Sequence, residues 1–183
     1  IERIVVVGAS AAGLRAACRA RRLLPECAIT ILDRDSIISY GACGLPYYVS
    51  GEIDQADELR ETTYGVVRDP EFFEAAKGVS VHAETTVTSI DRERRVVMAR
   101  DKAGQDQEYP YDRLVLTMGA KPIVLPGVSP SERVMTFKTI PDAVKLRGAL
   151  ERGQVERVVI VGGGFIGCEL AEAFGALWGV EVV

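Results

Sequence analysis

The sequence predicts a three-layer α/β fold with a parallel sheet and a small antiparallel β meander, and three observations support this. First, a buried strand, a glycine-rich turn and a helix follow one another from Arg3 onwards, and the same series recurs from Arg157. Second, short strands of alternating polarity separate the two series. Third, the 183 residues are 48% hydrophobic and 26% charged, so the chain is long enough to bury a core.

The composition argues against several classes of protein. The net charge is −4 and the arginines are scattered among acids, which is not the pattern of a nucleic-acid-binding protein. No apolar run reaches transmembrane length, and no signal-peptide pattern opens the chain. Four cysteines without paired spacing favour a reducing cytoplasm, and no metal-ligand cluster is present. Because the chain opens at Ile1, two residues before a strand, we expect it to have been trimmed.

The first series consists of a strand at Arg3–Val7, a turn at 8–13 and a helix to about Leu24. A second strand at Ala28–Leu32 ends in an acid about twenty residues after the turn. Such a unit places dinucleotide phosphates over the helix N-terminus and the acid on a ribose hydroxyl, although here a serine replaces the middle glycine. An ordinary tight turn between strand and helix is the alternative. The predicted nucleotide contacts are Gly8, Ser10, Ala11, Ala12, Gly13 and Asp33.

The middle of the chain predicts short strands at 79–82, 86–91, 95–100 and 112–117, with a hairpin turn at 101–104. The last of these strands closes on Thr117-Met118-Gly119-Ala120, where small residues allow a backbone or a ligand to approach closely. A helix is expected at Asp142–Arg152.

The opening series then recurs. A strand is expected at Arg157–Val161, a full G-x-G-x-x-G turn occupies 162–167, and a helix is expected at Cys168–Leu177. The next strand begins at Val180, and the chain stops inside it. Two nucleotide turns in one chain predict two dinucleotides, so we expect this sequence to be a fragment of a longer protein.

A single cysteine lies between the two series, in the stretch Ser39-Tyr40-Gly41-Ala42-Cys43-Gly44-Leu45-Pro46-Tyr47-Tyr48. Proline is favoured in the first turn of a helix, so a short helix should begin just after Cys43. A thiolate at that place faces the positive end of the helix dipole, and the thiolate is the reactive form of cysteine.

With both turns and this cysteine, the chain resembles the flavin-dependent pyridine nucleotide–disulfide oxidoreductases over its whole length. The resemblance implies a Rossmann-like FAD/NAD(P)-binding fold with an FAD domain at 1–120, a linker and connecting helix at 121–153, and the start of an NAD(P) domain at 154–183. It implies FAD at the first turn and NADH or NADPH at the second, with the redox-active cysteine at the flavin. The further implied cofactor contacts are Arg34, Cys43, Val87, Thr117, Gly119, Gly162, Gly164, Phe165, Ile166, Gly167 and Glu169.

The likeness is greatest to the single-cysteine branch of coenzyme A disulfide reductases and persulfide reductases. Dithiol members carry a second cysteine where this chain has Pro46 or Tyr48, so Cys43 cannot form an internal active-site disulfide. Related NADH oxidases and peroxidases carry a histidine at the position of Ala11, whereas the one histidine here is His82. This difference argues against peroxide or oxygen chemistry.

Three arginines on the first helix support a nucleotide-bearing substrate. Arg15, Arg19 and Arg22 are spaced i, i+4, i+7 and share one face. The face resembles the coenzyme A site of the disulfide reductases, and arginine suits phosphate because its fork binds two oxygens. A solvated helix face is the alternative. Ser39 is expected to bind substrate, while Ala42, at a position where related reductases often have asparagine, leaves one substrate hydrogen bond unmade.

These features predict an NAD(P)H-dependent flavoenzyme that reduces a disulfide or persulfide through Cys43. An NADH oxidase or peroxidase that uses a cysteine sulfenic acid is the alternative, as is an FAD-binding module without turnover. By resemblance, the general acid comes from the C-terminal domain of the partner in a homodimer, and that domain is absent here. The other cysteines, Cys18, Cys27 and Cys168, are expected to be buried small hydrophobes.

Overall fold

The computed structural model describes all residues, Ile1–Val183. None of its helices combines the length and the apolar character needed to cross a membrane. A 3₁₀ turn precedes α2 at Ala42–Gly44, another occupies Ala56–Arg60, and a π-helix follows α5 at Ala173–Leu177. The strands and α-helices, in chain order, are β1 Arg3–Val7, α1 Ala11–Leu23, β2 Ala28–Leu32, α2 Leu45–Ser50, α3 Pro70–Lys77, β3 Ser80–His82, β4 Thr86–Asp91, β5 Val96–Arg100, β6 Asp106–Pro110, β7 Arg113–Leu116, α4 Ile140–Glu151, β8 Arg157–Val158, α5 Phe165–Glu172 and β9 Glu181–Val182.

The residues divide into two compact units. The first contains Ile1–Tyr40 and Arg60–Ala120, and the second contains Gly41–Leu59 and Lys121–Val183. The segment with Cys43 therefore belongs to the second unit, together with the second glycine turn.

A four-stranded parallel sheet in the order β3-β2-β1-β7 forms the centre of the first unit. Side chains of a strand alternate between its two faces, and β1 buries both. Ile4 and Val6 pack with Leu14 of α1 and Phe73 of α3 on one face. On the other face, Val5 packs in a cluster with the β4–β6 meander. Helices, parallel sheet and meander are the three layers, and the predicted fold class is confirmed.

The meander consists of the antiparallel strands β4, β5 and β6. The sequence-based prediction missed β6, which reads Asp-Gln-Glu-Tyr-Pro and exposes all its side chains except the half-buried Tyr109. An edge strand with one face in water and a terminal proline lacks the hydrophobic pattern that identifies strands in sequence. The strands expected at 79–82 and 112–117 exist, but they join the parallel sheet rather than the meander.

In the second unit, β8 and β9 form a two-stranded parallel sheet, and α2 packs against α4, α5 and the π-helix. The strand predicted at Arg157–Val161 is assigned at Arg157–Val158 opposite β9, and the N–H of Ile160 also donates to the carbonyl oxygen of Val183. The helix predicted from Cys168 begins earlier, at Phe165, and changes to π-helix at Ala173.

Candidate functional site

The first glycine turn lies at the carboxyl edge of the parallel sheet. Val7 pairs with Leu32 on one side and with Leu116 on the other, so the residues that follow these three strands emerge at the same edge. Those residues are Gly8, Asp33 and Thr117. Ligands of open α/β sheets bind at this edge, where the strands end and the helices begin.

Thr117 packs tightly against this turn. Its hydroxyl lies 2.9 Å from the carbonyl oxygen of Val7 and 3.1 Å from that of Gly8, and it donates to them. Gly8 has φ +108°, and a Cβ there would overlap the Thr117 carbonyl oxygen. A Cβ on Gly13 would overlap the Gly8 carbonyl oxygen and lie 2.6 Å from the Thr117 hydroxyl oxygen. Glycine is therefore required at both positions by close backbone approach.

Asp33 fastens the same turn through its carboxylate. One oxygen accepts the backbone N–H of Ala9, and the other accepts the N–H of Asp35 at 2.9 Å. Asp33 remains half-exposed, and each carboxylate oxygen has a further lone pair for a ligand hydroxyl. The neighbouring Arg34 is exposed and lies 3.7 Å from the Asp35 carboxylate.

Of the five α-helices, two have a side-chain cap at the N-terminus and three, including the short α2, have none. Asp69 caps α3, and Thr139 caps α4 in a capping box with Asp142. The helices that follow the two glycine turns, α1 and α5, have neither a side-chain cap nor an acidic residue in the first turn. The free N–H groups at such helix starts favour an anion, so α1 and α5 have the donors that dinucleotide phosphates need.

The second glycine turn repeats the local geometry of the first. Gly162 has φ +118°, and a Cβ on Gly167 would overlap the Gly162 carbonyl oxygen. Its surroundings are open, since a Cβ on Gly162, Gly163 or Gly164 would meet nothing within 4 Å. The adjoining predicted contacts Phe165 and Ile166 are exposed, and Glu169 is half-exposed.

An open polar groove of about 640 Å³ adjoins the first site. Its cationic lining consists of Arg34, Arg100 and Lys102, and acids accompany each: Lys102 lies 3.4 Å from Glu84, for example. The predicted contact Val87 lies near this groove on β4, at a bulge, and its side chain packs with the Val5 cluster. Only the backbone of Val87 is therefore suited to contact a ligand.

Cys43 lies in the 3₁₀ turn and is exposed. The backbone N–H of Gly41 donates to Leu59 at 2.8 Å, and Gly44 is the N-cap of α2. Pro46 is in the first turn of α2, as the sequence predicts. The turn thus presents the Cys43 thiol next to the start of a helix.

The remaining cysteines differ in exposure. Cys27 is buried and Cys18 half-buried, and burial raises the pKa of the Cys18 thiol. The expectation that Cys168 is buried is wrong: it is exposed in the first turn of α5, 3.8 Å from the Gly163 carbonyl oxygen.

The predicted substrate residues lie in the first unit. Ser39 is 7% exposed, has φ +58°, and its N–H donates to Ala9 at 3.0 Å. Arg15, Arg19 and Arg22 are exposed on α1 and make no hydrogen bond or ion pair. Arg21, by contrast, donates to the carbonyl oxygens of Gly78 and Pro25. The arginine face is therefore free to bind an anion.

Sequence reasoning missed two side chains that contact α2, the helix that follows Cys43. Arg147 of α4 lies over the Tyr48 ring, 4.7 Å from its centroid, and Trp178 donates to the Val49 carbonyl oxygen at 2.8 Å. Tyr48 is thus covered from one side, while Tyr47 is 48% exposed. A sequence signal for these contacts does not exist, since they join residues about a hundred positions apart.

Helices without side-chain caps behind two glycine turns are typical of dinucleotide-binding proteins. An exposed cysteine, Cys43, lies between the two turns in the chain. The sequence profile of the pyridine nucleotide-disulphide oxidoreductases matches residues 2–183, and the chain belongs to this family.

Three relatives illustrate the similarity, at 34–41% identity. The NAD(P)H coenzyme A polysulfide/persulfide reductase of Pyrococcus horikoshii is 36% identical over 96% of this chain and 37% of its own length. The NADH oxidase of Lactococcus lactis is 34% identical over 93% of this chain and 37% of its own length. The structure of an NAD-dependent persulfide reductase from A. fulgidus superimposes with a TM-score of 0.92 at 41% identity, covering 98% of this chain and 33% of that one. This chain therefore spans little more than a third of its relatives' length.

Proposed function

We propose that this chain belongs to an NAD(P)H-dependent flavoenzyme that reduces a disulfide or persulfide substrate through Cys43. The exposed position of this thiol beside the start of α2 is the observation that carries the proposal. Pro46 and Tyr48 occupy the places of a second cysteine, so the bond that Cys43 forms must be to an external sulfur. The persulfide reductases among the relatives support the substrate class.

The residues at both glycine turns fit the two cofactors. In this proposal the N–H groups from Ser10 to Gly13 hold the FAD pyrophosphate, and Asp33 accepts from a ribose hydroxyl. Arg34, Thr117, Gly119 and the backbone of Val87 complete the FAD site. The turn at Gly162–Gly167, with Glu169, holds NADH or NADPH. FAD, when bound, supplies the route by which two electrons pass from NAD(P)H to sulfur.

Cys43 carries the sulfur chemistry. Its thiolate attacks the substrate disulfide, forming a mixed disulfide and releasing the first substrate thiolate. Two electrons and one proton then cleave the mixed disulfide, which returns the Cys43 thiolate and releases the second thiol. With a persulfide substrate, the same steps place one sulfur on Cys43 and release it as hydrogen sulfide.

The arginine face of α1 indicates a substrate with phosphates, such as a coenzyme A disulfide or persulfide. Arg15, Arg19 and Arg22 are exposed and unpaired, so their N–H donors are available for charge-assisted hydrogen bonds to phosphate. Ser39 is proposed as a further substrate contact.

The replacement Cys43→Ser tests the proposal in the full-length protein, with Cys168→Ser as the control for an equally exposed thiol. We expect Cys43→Ser to abolish disulfide and persulfide reduction while FAD stays bound, and Cys168→Ser to retain both. Retained reductase turnover in Cys43→Ser would overturn the assignment.

An NADH oxidase or peroxidase is the second candidate, favoured by the relative from Lactococcus lactis. In that case Cys43 cycles through sulfenic acid. Intact mass of the protein purified without reductant distinguishes the candidates: a coenzyme A adduct or an added sulfur on Cys43 supports the reductase, and one added oxygen supports the oxidase. A yellow full-length protein without reductase or oxidase turnover would instead indicate an FAD-binding module.

The wider organisation stays a prediction. We propose the domain limits 1–120, 121–153 and 154–183, a homodimer that shares the site through a further domain, and a cytoplasmic location.

A further inference from the structure

The cysteine-bearing segment is too short to hold its own shape. α2 has six residues, and helices of this length are unstable unless tertiary contacts support them. The last four carbonyl groups of any helix also lack partners within it. In α2 these belong to Tyr47, Tyr48, Val49 and Ser50.

Local N–H groups already donate to two of these carbonyls, Ile53 to Tyr47 and Gly51 to Tyr48. Side chains distant in sequence then contact the carbonyls of Tyr48 and Val49. Arg147 places Nη1 at 3.1 Å from the Tyr48 oxygen, 2.6 Å from the Ile53 oxygen and 3.1 Å from the Asp54 oxygen. Its Nε donates to Glu151 at 2.8 Å, which fixes the plane of the guanidinium over the Tyr48 ring. The side chain is only 15% exposed. One buried cation thus holds both α2 and the loop after it.

Trp178 makes a second, independent contact with the same helix. Its indole N–H donates to the Val49 carbonyl oxygen at 2.8 Å, just after the π-helix. A π-helix changes the direction in which the following side chains point, and such segments occur often at functional sites. The carbonyl end of α2 is therefore fixed from α4 and from the end of the π-helix, while Cys43 lies just before its amino end.

We infer that Arg147, assisted by Trp178, is a positioning residue that holds the Cys43 segment in its reactive geometry through α2. This inference rests on the proposed function of Cys43. Arg147 does not touch the sulfur; it acts through Tyr48 and the turn of helix between Tyr48 and Cys43. An arginine side chain is suited to this role because its planar guanidinium can donate hydrogen bonds to carbonyl oxygens and stack on the Tyr48 ring at the same time. A lysine ammonium can donate hydrogen bonds but cannot stack in this way.

The test compares Arg147→Ala and Arg147→Lys in the full-length protein, with Arg152→Ala as the control. Arg152 is exposed at the end of the same helix and donates only to Gln154. We expect Arg147→Ala to lower kcat per bound flavin about tenfold while KM for the nicotinamide changes less than about twofold, because misplacement of a reacting group acts on turnover. Arg147→Lys should recover part of the loss, and Trp178→Phe should lower kcat only about twofold to threefold.

Hydrogen exchange separates this inference from the proposed function. Amides of Leu45–Asp54 should exchange about tenfold faster in Arg147→Ala, with strand β2 unchanged as an internal reference. A wild-type protein that binds no flavin refutes the proposed function, and the positioning inference falls with it. Unchanged exchange at α2 refutes the inference, as does a fall in thermal stability with wild-type kcat per bound flavin, which shows a structural role only.

Discussion

The two glycine turns have the same local geometry and different surroundings. Gly8 and Gly162 have φ +108° and +118°, and a Cβ on Gly13 or Gly167 would overlap the carbonyl oxygen of the first glycine of its own turn. The first turn is held from both sides, by Asp33 after β2 and by Thr117 after β7. The second adjoins a two-stranded sheet, and its leading glycines face open space.

This difference separates what a glycine motif specifies from what a sheet provides. The motif fixes how closely the helix crosses the strand. The neighbouring strands determine how rigidly the helix and the strand are held together, and which side chains surround the ligand. A substitution at matched positions of the two turns should therefore have unequal effects.

Substitution of the last glycine of each turn should give the largest effect. Gly13→Ala is expected to cost about 3 kcal/mol of stability, because the turn is fixed by Thr117 and cannot shift. Gly167→Ala should cost about 1–2 kcal/mol, since beyond the Gly162 carbonyl its Cβ would first meet Ile160 Cγ2, at 3.4 Å, rather than a second polar group. Urea unfolding measures both, by circular dichroism and by the fluorescence of Trp178, the single tryptophan. Equal losses would show that the surroundings do not matter.

Thr117→Val sharpens the comparison by removing a contact that only the first turn has. The hydroxyl donates to two buried carbonyl oxygens, and valine has the same shape without the donor. The expected loss is about 1–2 kcal/mol of unfolding free energy. FAD should also dissociate faster from the full-length variant, whereas nicotinamide binding at the second turn stays unchanged. A faster release of both ligands would argue against a local role.

Acid should weaken the first sheet at its opposite end. The Asp112 carboxylate accepts the backbone N–H groups of Glu2 and Arg3, and these hydrogen bonds lower its pKa. A carboxyl with a lowered folded pKa stabilises the fold above its unfolded pKa, and this stabilisation is lost as the pH falls through the folded value. Unfolding from pH 5 to 2 should therefore show a steeper loss of stability in the wild type than in Asp112→Asn. Parallel curves would contradict the assignment.

The smallest effect is expected in the second sheet. Arg157 and Glu181 are paired across β8 and β9 at 2.8 Å, but both side chains are more than half exposed. Surface ion pairs contribute about 0–1 kcal/mol and less at high salt. A double-mutant cycle with Arg157→Ala and Glu181→Ala should give a coupling below about 1 kcal/mol. A larger value would mean that the short sheet depends on this pair.

Local signals explain which parts of the fold were predictable. The bounds of β1 and β2 agree with the prediction, because the apolar strands and the glycine turn can each be recognised from consecutive residues in the sequence. The polar edge strand β6 carries no such signal and was missed. The strand expected at Arg157–Val161 is assigned at Arg157–Val158, although the N–H of Ile160 still donates to the carbonyl oxygen of Val183.

The sequence by itself determined the order of strand, turn and helix, the family, and the identity of the candidate sulfur, Cys43. Only the tertiary structure decided that Thr117 and Asp33 meet at the first turn, that Cys168 is exposed, and that Arg147 and Trp178 hold α2. The physical reason for this division is the distance along the chain over which each effect acts. Helix periodicity, strand alternation and turn chemistry involve only a few consecutive residues. Sheet register and the contacts of a long side chain join residues a hundred positions apart, which the chain brings together only when it folds.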